Sequence, residues 1–240
     1  MANKEKVERV KLVTHEFRGS YPALFQARKV NQDDANEKAK YSIVMLFRVA
    51  ETPESKAAGE KVVDLALPSG PNQPAMKAEV MKILLKQLGP NWAEEIKKTK
   101  GDGSPMYRLP FKNGSAEDCK EADAKAPGGF RWKPGMGPGV VYVRAASEFK
   151  PGVINGQKQE IMNPQEVYGG AYFRAQVHAY WYDVKGNKGV TFGLDNVQLV
   201  RDGEPFGGRQ KAEDAFDAIE TPGGATAAGA PSTSDPLAAL

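Results

Sequence analysis

Apolar and polar positions alternate along several stretches of the chain, and the stretch from Tyr168 to Tyr182, YGGAYFRAQVHAYWY, has an unusual second face. In a strand, successive side chains point to opposite sides. Phe173, Ala175, Val177, Ala179 and Trp181 then share one apolar face, while Tyr172, Arg174, Gln176, His178, Tyr180 and Tyr182 share the other. A strand buried on both sides would be apolar throughout, and an ordinary surface strand would turn Lys, Glu and Thr outward. Rings interleaved with cations suit the stacking of nucleobases and the neutralising of phosphates. The same pattern also fits an aromatic strand lying under a covering loop or helix.

The remaining pattern predicts a mainly β fold. Residues 10–14 and 21–28 read as a first, interrupted strand, and residues 41–49 as a second, with a polar connection over 29–40. Over residues 75–88, Met76, Val80, Ile83 and Leu84 fall on one helical stripe that stops at Gly89-Pro90. A short turn over 92–98 follows, with Trp92 and Ile96 inward. Residues 99–138 read as a long loop rich in Gly, Pro, Lys and Asp, too long to be filler in a compact domain. Within it, GGFRWKPGMGPG sets Arg131 and Trp132 among glycines, either to pin the loop to the core or to touch nucleic acid. A third strand over 139–147 turns Val141, Val143 and Ala145 one way and Tyr142 and Arg144 the other, so its Tyr-x-Arg pair matches the one at 172/174. In the last strand, 189–201, apolar parity changes at Asp195-Asn196, which predicts a β-bulge. Lys185-Gly186-Asn187 joins it to the preceding strand as a hairpin.

Five strands with curved pairing predict a barrel of the oligonucleotide/oligosaccharide-binding (OB) type, whose central strands bind single strands on their outer face. A helix between the second and third strands would make it a variant. A jelly roll or another β-sandwich is the competing architecture.

Charge divides the 240-residue chain. The net charge is +3, yet residues 213–240 hold Glu213, Asp214, Asp217, Glu220 and Asp235 with no Lys or Arg, leaving 33 basic against 25 acidic residues, a net of +8, in 1–212. This predicts a binding domain over 1–208 and a disordered acidic tail, rich in Ala, Gly, Pro and Ser, over 209–240. The single cysteine, Cys119, excludes an intrachain disulfide and suits a reducing cytoplasm. The charged N-terminus lacks the apolar region of a signal peptide, and the longest apolar run, residues 43–47, is too short to span a bilayer.

Catalytic chemistry is not indicated. Two histidines, His15 and His178, with one cysteine do not assemble an ordinary zinc site. Gly101-Asp102-Gly103 and Gly135-Met136-Gly137 lack the lysine and the strand–loop–helix setting of a phosphate-binding loop. No cofactor, no metal and no enzymatic activity are therefore expected.

FRGSYPALFQARKV (17–30), YSIVMLF (41–47), LPFKNG (109–114) and YGGAYFRAQVHAYWYDVKGNKGVTFGLDNVQLVRDGEPFGG (168–208) together resemble the phage single-stranded DNA-binding proteins once catalogued as a domain of unknown function. The last block carries G-x-x-x-R, K-G-x-x-G-V and L-x-x-V-Q-x-V-R-D-G elements. The resemblance implies an OB barrel that coats single-stranded DNA in phage replication or recombination inside the host cytoplasm. It also implies a tail that recruits replication or recombination proteins, although this tail has few acids and ends in the mostly apolar DPLAAL. The residues expected at the DNA are Tyr142, Arg144, Tyr172, Arg174, His178, Tyr180, Tyr182, Arg131 and Trp132. The other readings are a β-rich virion or assembly protein, and an RNA-binding or annealing module.

Overall fold

The computed structural model describes residues 9–29, 38–184 and 186–206. The expected tail, Lys185 and the connection over 30–37 lie outside the described residues. In chain order come β1 (Lys11–Val13), β2 (Phe17–Arg28), β3 (Lys40–Arg48), α1 (Pro53–Ala57), α2 (Met76–Leu88) and α3 (Trp92–Glu95). Next are β4 (Tyr107–Arg108), β5 (Lys112–Asn113), β6 (Lys120–Ala122) and β7 (Phe130–Trp132). The last four are β8 (Val140–Ser147), β9 (Gly152–Ile154), β10 (Tyr172–Val184) and β11 (Asn187–Arg201).

Five strands close a ring. β2 pairs antiparallel with β3, β3 with β8, and β10 with β11. Closure comes where β10 meets β2 antiparallel, at Phe173↔Phe17, and where β8 meets β11 parallel, at Ala145↔Phe192 and Ala146↔Gly193. The order β2–β3–β8–β11–β10 is that of a five-stranded OB barrel rather than of two packed sheets. α2 lies between the second and third barrel strands, as the sequence order required. Between β8 and β10 the described residues form no α-helix, only a 3₁₀ turn at Pro164–Glu166.

The alternating residues supply the core. Phe173, Ala175 and Val177 of β10 are buried with Val190, Phe192, Leu194 and Val197 of β11, while Ala179 and Trp181 pack partly buried against them. Phe17 sits between Phe47 and Phe173, with ring centroids 5.6 and 6.2 Å away. Gln176 faces Asn196 and Val177 faces Leu194, so Asp195 is the extra residue of the predicted bulge. The bulge lets apolar residues face inward on both sides of the parity change. α2 buries Met76, Val80 and Leu84, each burial contributing about 1.5–3 kcal/mol. It ends at Gly89 with φ of 77°, a conformation a side chain would strain.

Two expectations needed correction. The first long strand runs unbroken from Phe17, and its irregularity falls at Tyr21, where φ is 47° and the pairing with β3 shifts between Ser20 and Ala23. Residues 99–138 are not simply loop: β4 extends the edge of β11, β5 pairs with β8, and β6 and β7 form a hairpin. β4 and β5 pair with barrel strands and β6 and β7 with each other, long-range partners that a residue-type pattern does not reveal.

Candidate nucleic-acid interface

The outer face of β10 does not present one platform, because its residues meet three different surroundings. At its start, Tyr172 is only 4% exposed. The Arg201 guanidinium lies 3.4 Å from its ring centroid and that of Arg18 lies 5.8 Å away. Its hydroxyl donates to Glu60 Oε1 at 3.3 Å, and Glu60 also pairs with Arg48 at 2.8 Å and Arg18 at 3.4 Å. Burial raises the Tyr172 pKa, and the Glu60 charge adds to the rise. A ring clamped by two cations cannot also stack a base, so Tyr172 belongs to the framework. Arg174 donates from Nε to the Thr14 carbonyl at 3.3 Å and lines a separate hollow with Gln176, Asn196 and Gln198.

His178 is buried as well. Its ring lies directly over Gly193, where an added Cβ would come within 2.4 Å of the imidazole. Arg9 Nη1 stands 3.2 Å from Nε2, and Nδ1 stands 2.8 Å from Asp195 Oδ2. Arginine only donates, so Nε2 accepts and the proton on Nδ1 goes to Asp195. This anchors β10 to the bulge and leaves the imidazole no ring nitrogen for a ligand.

Beyond His178 the face opens. One groove is lined by Val44 of β3, Tyr142 and Arg144 of β8, Thr191 of β11 and Tyr182 of β10. Arg108, Leu109, Pro110, Lys112, Asp118, Cys119, Lys133 and Met136 complete its lining. Four cations and two tyrosines thus converge with one carboxylate. β4 reaches β11 here because Gly189, at φ of 158°, has no side chain, and a Cβ would stand 2.0 Å from the Arg108 carbonyl oxygen. Lys112 Nζ lies 5.8 Å from the Tyr142 ring centroid. Lys133 Nζ donates to the Asp118 carbonyl at 2.6 Å, and Arg144 Nη2 to Ser42 Oγ at 3.4 Å. Burial pushes the Tyr142 hydroxyl far above the ordinary tyrosine range, with Cys119 and Asp118 contributing. Burial also raises Tyr182, opposed by the Arg108 charge.

Next along the same face is a second hollow, lined by Ala146, Gly193 and Tyr180 together with Arg9, Lys40, Phe149, Lys150 and His178. Tyr180 stacks beneath the Arg9 guanidinium at 5.3 Å, and burial raises its pKa while the Arg9 charge opposes the rise. Going from groove to hollow means advancing two residues along each strand, from Arg144 to Ala146, Thr191 to Gly193 and Tyr182 to Tyr180. Two residues of strand are about 6.6 Å, so the two depressions follow one another across the face.

Of the residues read from the sequence, Tyr142, Arg144 and Tyr182 therefore meet in one groove, with Tyr180 and the bonded His178 in the adjoining hollow, while Tyr172 and Arg174 lie elsewhere. Arg131 and Trp132 lie on the β6–β7 hairpin. Trp132 meets Phe130 edge to face at 5.4 Å, the Lys120 ammonium lies 4.4 Å from Phe130 and 5.5 Å from Trp132, and Arg131 pairs with Glu121 at 3.2 Å. Trp132 thus helps hold the hairpin together, and Lys133, the next residue, reaches the groove. Arg108 and Lys112 were missed. Their signal was the cationic segment around LPFKNG, where Arg108 lies on β4 and Lys112 on β5.

The fold is thus a closed OB barrel with a cationic, tyrosine-walled groove over its central strands. The family model for the single-stranded DNA-binding protein of Enterobacter phage Enc34 matches residues 74–226, and the chain belongs to that family. The matched span covers β4 through β11, and the likeness noted over residues 17–47 lies outside it. Protein p50 of Acyrthosiphon pisum secondary endosymbiont phage 1 is 28% identical over 132 residues, or 54% of this chain and 64% of that protein. The chain thus spans just under two thirds of the length of that relative. The Enc34 protein solved in complex with single-stranded DNA is 21% identical, with a TM-score of 0.49 over 82% of this chain and 89% of that one. Bacteriophage T7 gp2.5, a single-stranded DNA-binding protein, is 12% identical, with a TM-score of 0.45 over 92% and 100%.

Proposed function

We propose that this protein binds single-stranded DNA with little regard to sequence and coats it during phage replication or recombination in the host cytoplasm. The observation that carries the reading is the groove over β3, β8, β11 and β10, where Tyr142 and Tyr182 stand among Arg108, Lys112, Lys133 and Arg144. Every base has a π-face, so stacking on tyrosine tolerates any sequence, and the surrounding cations track the phosphates. Membership in the Enc34 family supports the same reading.

In this reading the protein acts by binding, as the description of its family suggests. Among the described residues, no group of three or more His, Cys, Asp and Glu side chains is placed to hold a metal ion, and no helix is long and apolar enough to cross a membrane. The acidic tail would serve replication or recombination partners. Titration with one oligonucleotide as a single strand and as a duplex tests the proposal, with unlabelled RNA as a competitor. Single strands should bind far more tightly than duplex. Equal affinity for both would leave only a basic patch, and stronger competition by RNA would favour the annealing module.

A further inference from the structure

Phe149 is the most exposed large apolar residue described, at 84%. A lone exposed apolar side chain needs no explanation, but the position of this one does. It stands in the turn between β8 and β9, held by its N–H donating to Ser147 Oγ at 3.1 Å. Lys150 fixes the other side of the turn, its Nζ lying 5.6 Å from the Phe25 ring centroid. Phe149 then forms the lip of the hollow that continues the groove past Arg144. The floor of that hollow is Ala146 together with the His178 ring, which lies over Gly193, and Tyr180 stands beside that ring with centroids 5.8 Å apart. Its two carboxylates are already engaged, Glu148 by Lys38 and Lys40 at 3.8 Å each and Asp195 by His178 and Lys11 at 2.8 and 3.6 Å. Arg9 and Lys150 add positive charge at the rim.

We propose that Phe149 is a base-stacking residue and that the hollow it shares with Tyr180 is a further nucleotide subsite of the single-strand groove, with Arg9 and Lys150 serving the phosphate. The proposal rests on the single-stranded DNA reading given above. A flat, exposed aromatic ring at a cationic rim accepts a nucleobase of any identity. Its distance from the Tyr142 groove, two residues along each strand, places it in line with the same bound strand.

The test uses the full chain and oligonucleotides with one abasic nucleotide at each position in turn. With wild-type protein, one abasic position near an end of the bound segment should weaken binding about tenfold, as expected for one lost stack. Phe149→Ala should weaken binding of the intact strand about tenfold and be indifferent to that same abasic position. Phe149→Trp should keep wild-type affinity, and its emission should be quenched by single-stranded DNA. Wild-type affinity in Phe149→Ala, a full abasic penalty persisting at every position in that variant, or unquenched emission from Phe149→Trp would each overturn the subsite. If wild-type protein failed to bind the intact strand, the underlying reading would fall, and the subsite with it.

Discussion

The chain contains Tyr-x-Arg twice in outward strand positions, at Tyr142/Arg144 and at Tyr172/Arg174, and the two copies have opposite fates. Tyr142 and Arg144 line an open cationic groove, whereas Tyr172 is roofed by Arg201 and Arg18 and Arg174 is tied to Thr14. Local sequence decides which face a side chain takes. The level at which it stands on that face depends on register. In the β10–β11 hairpin Tyr172 is level with Arg201, at the opposite end from Tyr182, which is level with Gly189. Two Tyr-x-Arg elements on strands of one barrel therefore meet different surroundings, one an open groove and the other a buried ion-pair cluster.

Large losses of stability without loss of groove chemistry should mark the framework copy. Tyr172→Ala should cost about 3–5 kcal/mol, as for other large buried aromatics, read from urea unfolding, while the folded fraction keeps its DNA affinity. Removing the charge beneath it, with Glu60→Gln, should cost about 3 kcal/mol because Arg18 and Arg48 lose their shared partner. Stability close to wild type in both variants would break the distinction between the two copies.

Tyr142→Ala and Tyr182→Ala should instead weaken single-strand binding by about 1–3 kcal/mol each, measured by fluorescence titration, with far less effect on unfolding than Tyr172→Ala. Arg144→Gln and Lys112→Gln should show the smallest effect, each lowering the slope of log K against log salt by about 0.7 as one phosphate contact is lost. Arg174→Gln, from the framework copy, should leave that slope unchanged. A slope change for Arg174 equal to that for Arg144 would place both copies on the DNA.

Much of the fold was legible in the sequence. The stripe Met76, Val80 and Leu84 lies buried on α2, and the change of parity in the last strand is a real bulge at Asp195. Such features follow from near neighbours in the chain, where periodicity speaks directly. Of the candidate site the sequence showed the faces but not the grouping, because alternation carries no information on which distant residues share a level. Tyr172 looked like a stacking residue because nothing near it in sequence announces Glu60 or Arg18. The groove cations Arg108 and Lys112 lie on two-residue strands too short for any pattern to mark.

One feature of the barrel bears on how binding and folding are linked. β8 and β11 meet over only two residue pairs, at Ala145↔Phe192 and Ala146↔Gly193, while the β10–β11 hairpin beside them is long. The groove and the hollow straddle this seam, with Tyr142 and Arg144 on one side and Tyr180 and Tyr182 on the other. A bound strand would then act as a clasp across one of the two short closures of the ring. Amide hydrogens bonded across the β8–β11 seam should exchange with solvent sooner than those bonded between β10 and β11, and slow when DNA is added. At a hundredfold excess of DNA over its dissociation constant, linkage alone should add about 2.7 kcal/mol to the barrel.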